Sequence, residues 1–187
     1  MKLKTAVLLS GGGRTLQNLI DRPDLPITIS LVLSSSADAY GLERANAAGI
    51  PTAVVNRKRF PSHETYSNYV FGACRDADAQ LILLAGFLKL LRPIPRGYEG
   101  RVLNIHPSLI PAFCGKGLYG SRVHKAVLEA KATETGCTVH VVDDEYDHGP
   151  IVLQRTVPVE PGDDADTLAA RVFAAGGEAY PDAIRTV

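Results

Sequence analysis

The chain has 187 residues, with 20 basic and 20 acidic side chains and a formal net charge of zero. That length suits one domain with its own hydrophobic core, and the balanced charge supplies no global field toward nucleic acid or an anionic membrane. No apolar run approaches the roughly 20 residues that span a bilayer. The three cysteines, Cys74, Cys114 and Cys137, have neither disulfide-framework nor zinc spacing, so a cytoplasmic, metal-free protein is expected.

Thr5 to Leu9 reads as a buried strand, and Thr15 to Ile20 carries helical spacing, with Leu16, Leu19 and Ile20 on one face. Ile27 to Leu33 is a second predicted strand, and Tyr40 to Ala48 a helix stopped by Gly49. Pro51 to Val55 and Ser62 to Arg75 form the next strand and helix. The apolar run Leu81 to Leu84 is a further strand, and Arg101 to Ile105 another. Helical spacing returns from Val123 to Ala130. Strands are predicted at Thr138 to Val142 and Ile151 to Gln154, and a last helix from Ala165 through Ala174. Alternating strands and helices predict a single doubly wound, Rossmann-like α/β domain over residues 1–187, with a mostly parallel sheet and helices on both faces. Ligands in such folds gather at the carboxyl ends of the strands.

Three unusual segments follow predicted strands. Ser10-Gly-Gly-Gly-Arg-Thr15 joins a strand to a helix, where glycines let backbone amides approach an anion. It is neither a dinucleotide fingerprint nor a Walker A loop, and a tight turn without ligand is the alternative. In Asn104-Ile-His106 the two polar residues lie two apart and share one side of an extended segment. An amide and an imidazole so placed can bind a carbonyl oxygen and exchange a proton, or satisfy local backbone groups. Asp143-Asp-Glu-Tyr-Asp147 is either a solvated acidic turn or the source of a carboxylate for His106, which would favour the imidazolium.

Leu84-Ala-Gly-Phe87, Leu103-Asn-Ile-His-Pro-Ser-Leu-Ile-Pro111, Gly136-Cys-Thr-Val-His140 and Asp147-His-Gly-Pro-Ile-Val-Leu-Gln154 occur in this order. Together they resemble the folate-dependent formyltransferases that act on glycinamide ribonucleotide in purine biosynthesis, and the resemblance covers nearly the whole chain. It implies the formyltransferase fold, 10-formyltetrahydrofolate as formyl donor and glycinamide ribonucleotide as acceptor. It implies no metal and no nucleic acid or membrane partner, and either a monomer or a homodimer.

The resemblance also implies roles. Asn104 would bind the formyl oxygen, His106 would act as general acid and proton shuttle, and Asp147 would hold His106 or a bridging water and raise the His106 pKa, with His140 in support. Leu88, Lys89, Leu90, Leu91, Asn104 and the segment Asp143, Asp144, Glu145, Tyr146 and Asp147 would hold the folate, together with His63. Gly13, Arg14 and Thr15 would hold the substrate phosphate. Several positions depart from the family pattern. His63 and Lys89 stand where Arg is frequent, and Arg14-Thr15 replaces Ser-Asn. Gly176 stands where a Glu usually contacts the ribose, which implies either a helix that ends early or weaker nucleotide binding. Glu178 is no substitute, because two residues turn a helix by about 200°. The cysteines are expected to serve packing, and the loop Ala112 to Gly120 to act as a mobile flap. Competing readings are a formyltetrahydrofolate deformylase and a folate- or nucleotide-binding protein without turnover.

Overall fold

A computed structural model describes residues 2–187, and its contacts group the chain into two units. The first unit comprises Met1–Asn104 with Asp143–Glu145. It opens with β1 (Leu3–Leu9), α1 (Arg14–Ile20), β2 (Ile27–Ser34), α2 (Gly41–Ala47) and β3 (Thr52–Val54). A short 3-10 turn at Arg57–Arg59, which the sequence reading lacked, leads into α3 (His63–Asp76), β4 (Leu81–Leu84) and the start of β5 (Val102–His106). The strands pair in parallel: β1 with β2 and β4, β2 with β3, and β4 with β5.

Ala6 to Leu9 and Leu81 to Leu84 are buried along their whole length, which is why they read as continuous apolar runs rather than alternating ones. Helix α3 buries Tyr66, Val70, Phe71 and Cys74 along one stripe, and Ser62 caps its first turn by accepting from the Thr65 N–H. From β1 the chain moves outward to β2 and β3, then returns to place β4 on the other side of β1. The segments leaving β1 and β4 therefore meet at a topological switch point, where open α/β sheets bind ligands.

The second unit comprises Ile105–Val142 and Tyr146–Val187. It holds the end of β5, α4 (Ser121–Glu129), β6 (Glu134–Val141), β7 (Ile151–Pro158) and α5 (Ala165–Ile184). β6 and β7 form an antiparallel pair, so the seven-stranded sheet, of order β3-β2-β1-β4-β5-β6-β7, is mixed. Both strands are longer than predicted, β6 starting at Glu134 and β7 running to Pro158.

The main correction is α5. It does not stop at Ala174 but continues through Gly176, Gly177 and Pro181 to Ile184. Two glycines cost about 1 kcal/mol each in a helix and proline about 3 kcal/mol. Against this, Gly176, Ala179, Tyr180, Ala183 and Ile184 fall on one buried stripe, and each large apolar side chain fully removed from water contributes roughly 1.5–3 kcal/mol. Long-range burial overrides the local preference. Gly176 also permits close approach, since a Cβ there would lie 3.1 Å from Ile105 Cδ1. The exposed Glu178 points off the buried stripe. Tyr180→Ala is expected to lower unfolding stability by about 3–5 kcal/mol in urea titration; a loss under 1 kcal/mol would show that packing does not carry the last turns of α5.

Candidate active site

In the first unit, the loop after β1 occupies the switch point. Gly13 is left-handed (φ 69°) and precedes α1 without a side-chain cap. A Cβ at this residue would come within 2.5 Å of Gly41 Cα, so α2 lies directly against the loop. Gly41 N donates to Gly11 O at 3.0 Å. Arg14 is exposed and Thr15, the second residue of α1, is half-buried. Ser10 ties the three neighbouring strand ends together: its N–H donates to Gly86 O, and its hydroxyl accepts from Leu88 N at 2.9 Å and contacts Ser35 Oγ at 2.7 Å.

The segment after β4 presents Leu88 and Lys89 to solvent, leaves Leu90 half-buried and sinks Leu91 into the core. Asp144 accepts from Ile94 N, and Asp143 from Glu145 N, both at 2.9 Å. These carboxylates shape backbone within an acidic turn that stays exposed at Asp144 and Glu145. His63 is the first residue of α3, half-buried, with its Nδ1 buried and without a hydrogen-bond partner. Asn104 is half-buried on β5, two residues before His106.

In the second unit, His106, His140 and Asp147 converge. His106 ends β5, is 4 % exposed, and places Nδ1 3.4 Å from Asp147 Oδ2. Its Nε2 lies 2.9 Å from the Phe113 carbonyl. Both ring nitrogens thus face oxygen acceptors, an arrangement that a doubly protonated ring satisfies at both ends and a neutral ring at only one. His140, on β6, directs Nε2 to Asp147 Oδ1 at 3.6 Å and Nδ1 to the Val141 carbonyl at 3.0 Å. Asp147 also accepts from Gly115 N at 3.0 Å. Burial pushes the Asp147 carboxyl upward, but His140, the positive charge at His106 and the Gly115 N–H outweigh it and hold the group below its ordinary value.

The loop from Ala112 to Gly120 is folded over this cluster. Besides the Phe113 and Gly115 contacts, Ser108 Oγ donates to Ala112 O at 2.6 Å. Tyr146 is exposed, and Gly176 lies inside α5 against Ile105 rather than beyond a helix end.

Three contributors escaped the sequence reading. Phe113 and Gly115 act through backbone atoms, which side-chain motifs do not register. His124 sits on the buried face of α4 between Val123 and Val127. Burial and the charge of His106 keep its pKa low, and its Nδ1 has no partner. A histidine on an otherwise apolar helix face was the available signal. Cys74 and Cys137 are buried as expected, and burial pushes the Cys74 thiol up to about 12. Cys114 is not a packing residue: it is half-exposed in the loop, donating to Pro111 O at 3.3 Å. Among the described residues no group of three or more His, Cys, Asp or Glu side chains is placed to hold a metal ion.

The fold and this cluster define a doubly wound α/β protein with an imidazole–carboxylate cluster at the end of a parallel strand. Residues 3–184 match the formyl transferase family model, and the chain belongs to that family. It is 40% identical to phosphoribosylglycinamide formyltransferase of Haemophilus influenzae, over 97% of this chain and 85% of the relative. It is 43% identical to the trifunctional purine biosynthetic protein adenosine-3 of Gallus gallus, of whose length it spans 18%. The crystal structure of glycinamide ribonucleotide transformylase 1 from Symbiobacterium toebii superposes with a TM-score of 0.91 at 37% identity, covering 98% of this chain and 86% of that one.

Because the Asp147 carboxyl is held below its ordinary value of 3.8, its contribution to folding is complete above that value and is lost as pH falls through the lower folded value. Asp147→Asn is expected to destabilise the chain at pH 7 and to cost less at a pH well below 3.8, measured by urea unfolding at both. An equal cost at the two pH values would contradict the electrostatic account.

Proposed function

We propose that this chain transfers the formyl group of 10-formyltetrahydrofolate to the amine of glycinamide ribonucleotide, as a step of cytoplasmic purine biosynthesis. The observation that carries the reading is the half-buried Asp147 carboxylate 3.4 Å from His106 Nδ1, in a chain aligned over nearly its full length with a phosphoribosylglycinamide formyltransferase. We read residues 1–187 as a single formyltransferase domain, supported by one family model running from residue 3 to 184.

The chemistry follows from the parts. The substrate amine attacks the formyl carbon, and the carbonyl electrons move onto oxygen. Asn104 donates to that oxyanion. His106 supplies a proton that reaches the departing folate nitrogen, the bond from that nitrogen to the formyl carbon breaks, and the proton shed by the amine returns to the imidazole. Asp147 compensates the imidazolium charge while His140 holds the other carboxylate oxygen. For His106 Nε2 to serve the reaction it must exchange the Phe113 carbonyl for substrate, so the loop from Ala112 to Gly120 withdraws during turnover. No covalent formyl-enzyme is required, which agrees with raised thiol pKa values at Cys74, Cys114 and Cys137.

The folate is assigned to His63, Leu88, Lys89, Leu90, Leu91 and the segment Asp143 to Asp147, and the acceptor phosphate to Gly13, Arg14 and Thr15. Gly176 is assigned to the nucleotide side as well, where a larger side chain would require Ile105 to move.

The deciding experiment is a formyl-transfer assay with and without glycinamide ribonucleotide. Folate product is expected only when the nucleotide is present. Folate deformylation without it would favour a hydrolase, and no turnover at all a binding protein. Within the assay, Asn104→Ala is expected to lower kcat about 100- to 1,000-fold; a loss under threefold would remove Asn104 from oxyanion stabilisation.

A further inference from the structure

Arg44 is not part of the sequence motifs, yet it reaches the loop after β1. From α2 its Nε donates to the Gly12 carbonyl at 2.9 Å, and Nη1 donates to Gln17 Oε1 on α1 at 3.1 Å. Gln17 is itself fixed by donating to Asp21 Oδ1 at 2.8 Å. The guanidinium carbon stands 5.0 Å from the centre of the Tyr40 ring, a cation–π contact that holds its plane. One residue earlier in the loop, the Gly11 carbonyl accepts from Gly41 N at 3.0 Å. Two successive loop carbonyls are therefore held on the α2 side.

The trans peptide is planar, and its N–H points opposite to its C=O. Fixing the carbonyls of Gly11 and Gly12 toward α2 turns the N–H groups of Gly12 and Gly13 away from it. Neither of these N–H groups donates to an acceptor among the described residues. The same contacts withdraw two partially negative oxygens from the face that the amides present. Arginine suits this role because its planar fork serves two acceptors at a fixed angle, which a lysine ammonium does not reproduce.

We propose that Arg44 is a positioning residue for acceptor binding: by holding the Gly12 carbonyl it aims consecutive loop amides at the phosphate monoester of the nucleotide substrate. This rests on the reading that the Gly11 to Thr15 loop holds that phosphate. The role is orientation at a distance, so it acts on acceptor affinity and leaves the formyl donor and the chemical step alone.

The test is calorimetric titration of the full chain with glycinamide ribonucleotide and with inorganic phosphate, for wild type, Arg44→Met, Arg44→Lys and Thr15→Val, with thermal unfolding to confirm that each variant is folded. Arg44→Met is expected to weaken both ligands about tenfold, equivalent to about 1.4 kcal/mol, and to raise KM for the nucleotide while kcat and KM for 10-formyltetrahydrofolate hold. Arg44→Lys is expected to fall between Met and wild type, and added guanidinium ion to restore part of the affinity of Arg44→Met. Wild-type affinity in Arg44→Met alongside weakened binding in Thr15→Val would overturn the role of Arg44 and leave the phosphate loop standing. Binding of neither ligand by wild type would overturn the loop reading and this inference with it.

Discussion

A single, largely enclosed carboxylate holds the histidine cluster of this protein together. Asp147 faces His106 through one oxygen and His140 through the other, and also accepts the Gly115 N–H. Those partners come from the end of β5, the end of β6 and the loop over His106. A carboxylate enclosed to this degree is favoured where donors surround it, so the three segments and the charge stabilise one another. Asp147 itself has left-handed backbone (φ 52°), a conformation that a non-glycine residue keeps only where its surroundings over-determine it. Its contacts do so, and they aim the carboxylate at both imidazoles.

The first unit uses a related device on backbone carbonyls. At its switch point the loop backbone is oriented through its carbonyl oxygens. Carbonyls of Gly11 and Gly12 are bound on the α2 side, and Ser10 fixes the start of the segment after β4. The direct contact between Gly13 and Gly41 is what brings α2 near enough for Arg44 to reach. In both units, polar groups are fixed in direction by contacts from neighbouring segments.

Much of this was legible in the sequence because it is local. Buried parallel strands read as unbroken apolar runs at residues 5–9 and 81–84, and glycine marked the left-handed turn at Gly13. The ordered motifs around Asn104, His106, His140 and Asp147 carried the family. The rest depends on contacts across the chain. Helix α5 passes Gly176 and Pro181 because Tyr180 and Ile184 are buried, and local propensity knows nothing of that. Phe113 and Gly115 contribute main-chain atoms whose placement follows from a loop path rather than from side-chain identity. Arg44 lies 32 residues from the carbonyl it holds, so no local pattern joins them.

The central claim is that His106, paired with Asp147, moves a formyl group directly onto an amine. Single-turnover NMR with 13C in the formyl group of the folate and 15N in the amine of glycinamide ribonucleotide tests it most directly. The account predicts that a one-bond 13C–15N coupling appears as the folate signal decays, with no formyl signal on the protein, and that His106→Asn suppresses the transfer. Label accumulating as formate or on the enzyme, or transfer at the wild-type rate in His106→Asn, would contradict it.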